Sequence, residues 1–177
     1  ALQLSPDRDP LAPHAEQPRP GDVDLRSLVE RGWLRNLPQS LIDRAPRIEA
    51  ASPTERAALG YLHGNCGHCH ADPASTAAAV PVGIVLAQDV LSPVATAKVM
   101  RSLLDAPSRF VPSGRTTVSP VVAPGDSSNS VLPLRMRSRN PQVQMPPLGT
   151  AIADFAGLAL IERWIDHDLP STQEHQP

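Results

Sequence analysis

The stretch "GNCGHCHADP", residues 64–73, decides how this chain is read, because it holds both cysteines of the protein and two of its six histidines. Cys66-Gly67-His68-Cys69-His70 fits C-x-x-C-H, the pattern of covalent haem attachment. The spacing has a physical reason. Two thiols at i and i+3 on the end of a helix occupy neighbouring positions, so both can form thioethers to the two vinyl groups of one haem. The next residue, His70, is then carried beneath the porphyrin, where its imidazole can ligate the iron. One short peptide fixes the cofactor at three points.

Other chemistries compete for the same residues. A thioredoxin-like C-x-x-C ends a strand and opens a helix, whereas here a helix leads into the motif. A zinc or copper site could draw on Cys66, Cys69 and nearby His63, His68 or His70, but a closed structural zinc site wants a second ligand pair at a distance, and no other cysteine exists. A plain disulfide between Cys66 and Cys69 would close a tiny loop and stabilise little. Haem attachment is favoured because it also accounts for the composition.

Hydrophobic residues make up 41% of the 177, yet aromatics only 3%: Trp33, Tyr61, Phe110, Phe155 and Trp164. Alanine supplies much of the apolar count and buries little area, while each aromatic buries a great deal. Either the core is small and loose, or something not encoded as an amino acid fills its middle, and a porphyrin would then be its largest apolar group. The length suits one domain. A net charge of −2 suggests affinity neither for nucleic acid nor for an anionic membrane surface. No apolar run approaches the roughly 18 residues of a transmembrane helix. The opening "ALQLSPDRDP" lacks a basic, then apolar, leader, which fits either a cytosolic protein or a trimmed, exported one.

With 21 prolines and 10 glycines, long irregular segments are expected between few helices. Residues 1–21 read as an irregular arm. "GDVDLRSLVERGW" predicts a short helix with Leu25, Leu28 and Val29 on one face, Asp22 as its cap and Gly32 as its stop; residues 36–51 read as a connector. "SPTERAALGYLHGNCGHCH" carries the strongest helix start: Ser52 as N-cap, Pro53 at the first position and Glu55 closing a capping box. Residues 72–95 contain "VGIVLA", a buried strand or extended loop. A helix from Ser92 to Leu104 would present Val94, Ala97, Met100, Leu103 and Leu104. After a 105–125 loop, a helix starting near Ser130 tolerates Pro133 in its first turn. "NPQVQMPPLGT" is loop, and "ADFAGLALIERWIDHD" predicts a closing helix with Asp154 near its start and Phe155, Leu158, Ile161 and Ile165 on one face.

Through "ASPTERAALGYLHGNCGHCHADP", "VVAPGDSSNSVLPLRMRSRNPQVQMPPLGT" and "LALIERWIDHDLP", and more weakly through "LRSLVERGWLRNLP", the chain resembles class I c-type cytochromes, in particular the cytochrome domain at the C-terminal end of larger secreted bacterial haem proteins. The resemblance covers most of residues 50–170. It implies a mainly α, class I cytochrome c-like fold around one covalent haem c, with long Pro-rich loops and an elaborated insertion over 77–124. A cytochrome domain over 22–170 would follow the arm and precede a frayed tail, 171–177. It further implies His70 as proximal and Met145 as distal axial ligand, with the closing helix packed on the haem-motif helix.

The residues support Met145 separately. Met100 sits among Val and Leu at helical spacing and reads as core, and Met136 lies between two arginines on a short helix. Met145 alone lies in a loop stiffened by Pro146 and Pro147; Met136, or a histidine such as His167, stays open as an alternative. Met/His ligation raises the reduction potential relative to bis-His haem, and burial adds to that. A six-coordinate iron leaves no site for substrate. The expected function is therefore a one-electron carrier rather than an enzyme: a monomeric, exported, periplasmic protein, or the electron-transfer domain of a larger oxidoreductase, meeting redox partner proteins. A haem-based ligand sensor, or an enzyme with a labile or absent distal Met, is the alternative. Arg135, Arg137 and Arg139 precede the Met145 loop and read first as a solvated helix face, with neutralisation of haem propionates or a basic docking patch as the other uses. The 77–124 segment is either a cover for one haem edge or a solvated insertion.

Overall fold

The strongest local signal in the chain becomes its longest described helix. In the computed structural model, which describes residues 25–43, 48–67, 69–70, 93–114 and 117–169, α3 runs Pro53–Cys66. Ser52 Oγ accepts the Glu55 N–H at 2.9 Å and Glu55 Oε1 accepts the Ala51 N–H at 2.9 Å, the reciprocal pair that satisfies two of the otherwise orphaned donors of a first turn. Before it come α1, Leu25–Glu30, and α2, Gln39–Asp43; after it come α4, Pro93–Leu103, a 3-10 turn Ser127–Asn129, α5, Val131–Arg137, and α6, Phe155–Arg163, which widens into a π-turn over Trp164–Asp168. The described residues are thus mainly α, with β pairing confined to isolated bridges such as Leu104 with Val122 and Pro107 with Pro120. No described helix is long and apolar enough to cross a membrane.

Helices α3 and α6 run antiparallel, and two carboxylates fix their register. Asp154 caps α6, its Oδ1 accepting the Gly157 N–H at 3.0 Å, while its Oδ2 accepts the Tyr61 hydroxyl of α3 at 3.0 Å. At the opposite end Ser52, the cap of α3, bonds Asp168 at the close of the π-turn. Between these ties Gly157 lies flat against the Tyr61 ring, where a Cβ would fall inside van der Waals contact. The apolar stripes they bury against each other include Leu59, Leu62, Ile161, Trp164 and Ile165, all essentially sealed from water. A third carboxylate, Asp166, accepts the N–H and hydroxyl of Ser127 at 2.7 and 2.8 Å.

Several expectations need correction. The 36–51 connector contains α2, because Pro38 presets the backbone for a first turn in which its carbonyl accepts the Leu41 N–H at 3.0 Å. On α4 the buried stripe runs through Val99 and Leu103, with Met100 and Leu104 only partly covered and Ala97 exposed: the helix is rotated so as to meet Val121 and Val122 of the same core. Those valines also anchor the described part of the 77–124 segment, whose flanks are in the core while Arg109, Val111 and Val118 stay exposed. Its chain leaves the core at Leu104, returns at Val121 and is zipped by Asp105 N–H to Val122 O at 2.9 Å and Val121 N–H to Ala106 O at 2.8 Å. Phe155, expected to face inward, is exposed. Gly32 does stop α1, with φ +69° and the Trp33 N–H returning to Leu28 O at 2.9 Å. The 1–21 arm, the Asp22 and Ser92 caps, "VGIVLA" and the 171–177 tail lie outside the described residues.

Candidate functional site

The end of α3 sets the geometry of the cysteine motif. Gly67 N–H reaches both Leu62 O and His63 O at 3.1 Å, and the amides of Cys69 and His70 then fold back onto the same acceptor, Cys66 O, at 3.1 and 2.9 Å. Helix turn, second cysteine and histidine are thereby gathered around one carbonyl. Cys66 is half-buried against the core, Cys69 is exposed, and both are free thiols. Burial, aided by the neighbouring Cys69, pushes the Cys66 thiol up to about 12. It stays protonated at neutral pH, which is the opposite of what a thioredoxin-like nucleophile needs. His70 is half-buried with Nδ1 enclosed.

The remaining histidines and methionines separate clearly. His63 is half-buried, and burial lowers its pKa, favouring the neutral imidazole. His167 is exposed on the π-turn; His14, His68 and His175 lie outside the described residues. Among the described residues no three His, Cys, Asp or Glu side chains converge as a metal set, so the distant second ligand pair that a closed zinc site wants is not found there. Met136 is buried in the core and Met100 is packed against it.

Met145 lies half-buried in the 138–154 loop and is held by contacts of its own, distinct from those of the cysteine turn. Its N–H donates to Arg135 O at 3.0 Å, Arg135 Nε donates to Val143 O at 2.8 Å, and Gln144 Nε2 donates to Pro147 O at 3.1 Å. Beyond it, Leu148, Ile152 and Phe155 are 82%, 77% and 67% exposed.

Of the three arginines expected to form a solvated face, only Arg137 is exposed. Arg135 is partly desolvated, which lowers its pKa, and its guanidinium lies 4.9 Å over the Phe110 ring. Arg137 pairs with Glu162 of α6. Arg139 turns inward, giving hydrogen bonds to Met136 O at 2.8 Å and Ser138 O at 2.6 Å and leaving its Nε buried with no acceptor. Trp164 Nε1 is a second buried donor without an acceptor. Burial, then the charge and hydrogen bond of Asp154, raise the Tyr61 pKa, while Arg139 opposes them. Phe110, Tyr61 and the inward role of Arg139 went unread in the sequence. Only Asp154, as a helix start, carried a local signal.

Comparison of the chain with protein families, with curated proteins and with solved structures finds no match.

Proposed function

We propose that this chain is a class I, monohaem c-type cytochrome that carries single electrons between partner proteins in the periplasm. The observation that supports it most is the turn in which Cys66, Cys69 and His70 close around the Cys66 carbonyl at the end of a capped helix. In the proposal each thiol adds across one vinyl group, the sulfur bonding one carbon and the proton going to the other, so no oxidant is consumed. His70 then serves as proximal ligand and Met145 as distal ligand.

The chain's own residues fit such a group. Leu148, Ile152 and Phe155 are large apolar side chains left in water beside the Met145 loop, where an apolar macrocycle edge would cover them. Arg139 Nε and Trp164 Nε1 are buried donors without acceptors, and such donors cost free energy until something accepts from them; propionates are acceptors of the right kind. When bound, haem c supplies a one-electron iron couple. Met145, held as a ligand, would favour the ferrous state, and with His70 it would keep small molecules off the metal.

Intact mass of the full chain, exported from a cell able to attach haem, tests the proposal. The expected mass is the polypeptide plus one haem, with the addition lost in Cys66→Ala/Cys69→Ala. A bare polypeptide mass for the parent overturns it.

A further inference from the structure

Arg135 sits outside the attachment motif, yet it holds the Met145 loop from both sides of its own residue. Its side chain binds Val143 O at 2.8 Å and its carbonyl accepts the Met145 N–H at 3.0 Å, so the two residues flanking Gln144 are fastened to one position of α5. The guanidinium that reaches Val143 is in turn set by the Phe110 ring, 4.9 Å from its Cζ. Phe110 belongs to the excursion between Leu104 and Val121, which the Asp105, Ser108 and Val121 amides zip together at 2.8–3.1 Å. A chain of contacts therefore runs from that excursion through a cation–π stack to the backbone of Met145.

Resting on the reading of Met145 as an axial ligand, we propose that Arg135, stacked on Phe110, is the positioning residue that sets how firmly Met145 holds the iron. The Leu104–Val121 excursion is then a brace for the distal ligand. A thioether is a weak ligand, and its occupancy depends on the backbone presenting it at a fixed place. Loosening the backbone lets an exogenous ligand compete.

The test uses the full-length, haem-loaded protein, with Phe110→Leu, Phe110→Trp and Arg135→Gln. The readouts are amide exchange over 143–145, affinity of the ferric protein for imidazole, and the weak sulfur-to-iron absorption band. In Phe110→Leu and Arg135→Gln, exchange is expected to quicken and imidazole to bind tighter by about tenfold, the equivalent of one modest hydrogen bond, with the band weakened. Phe110→Trp, which restores an aromatic face to the cation, is expected to return all three towards the parent, as a purely space-filling role would not. Should Arg135→Gln fail to fold, the Phe110 pair carries the test alone. Parent-like exchange and imidazole affinity in folded Phe110→Leu overturn the brace. Failure of the haem reading shows differently, as a bare polypeptide mass, and failure of the Met145 assignment as a band unaltered in Met145→Ala.

Discussion

Replacing Gly157 by alanine tests the crossing of α3 and α6 that carries the cysteine motif. Alanine is intrinsically the better helix residue by about 0.5–1 kcal/mol. Against that, the new Cβ falls inside contact distance of Cε2, Cζ and Oη of Tyr61. The ring cannot simply rotate away, because it is buried and its hydroxyl is tied to Asp154 at 3.0 Å. Overpacking costs about 1–3 kcal/mol, and swinging the ring far enough to break a hydrogen bond to a carboxylate costs a further ~1.5–3 kcal/mol. Net of the helix gain, Gly157→Ala is expected to destabilise by about 1.5–5.5 kcal/mol, lowering Tm by roughly 3–20 °C for a chain of this size. Urea unfolding followed by far-UV circular dichroism reads the change, with the slope m unaltered. In a Tyr61→Leu background the same substitution becomes neutral or stabilising, giving a coupling of at least ~1.5 kcal/mol in the double-mutant cycle. A Gly157→Ala protein as stable as the parent would refute the close approach.

Ser52→Ala removes the cap bond to Glu55 N–H and the contact with Asp168, at a cost of about 1–2 kcal/mol; a loss below ~0.3 kcal/mol in denaturant titration contradicts the double role. Tyr61→Phe deletes the hydroxyl that binds Asp154 and is expected to cost about 1.5–3 kcal/mol at pH 7. It also changes the alkaline limb. Burial and Asp154 raise the Tyr61 pKa in the folded state, so above about pH 10 the unfolded chain releases a proton that the folded one retains, and stability falls as pH climbs towards the folded value. Tyr61→Phe should flatten that fall in unfolding measured between pH 9 and 12, and an unchanged slope there counts against the burial of this phenol.

How much of this was legible depended on whether the signal was local. The start of α3 could be read because Ser52, Pro53 and Glu55 interact within one turn, and the same holds for Asp154 at α6. The face of α4 could be read only in part: Leu103 is buried as its spacing suggests, but Val99 rather than Ala97 joins it, a choice made by Val121 and Val122 some twenty residues away. The arginines misled through their spacing. Positions two apart do not share a helix face, so Arg135 and Arg137 diverge to Phe110 and to Glu162, while Arg139, beyond the end of α5, turns inward. Of the candidate site, the cysteine turn was legible as a motif; the contacts that hold Met145 were not, because they run through Arg135 to a ring 25 positions before that arginine.

The aromatic shortage takes on a different meaning once the core is seen. The sequence leaves open either a small, loose core or one filled by a group such as a porphyrin, and among the described residues Trp164, Leu59, Leu62 and Ile161 are fully buried in one cluster. What is left unsatisfied lies both at the surface and inside. Apolar surface is left in water at Leu148, Ile152 and Phe155, all within ten residues of Met145, and buried donors lack acceptors at Arg139 and Trp164. Apolar edge and anionic acceptor are the two surfaces a haem offers together, whereas a metal ion supplies neither and a disulfide would answer to neither. The proposed cofactor is therefore argued from two independent deficits of the folded chain as well as from five residues of sequence.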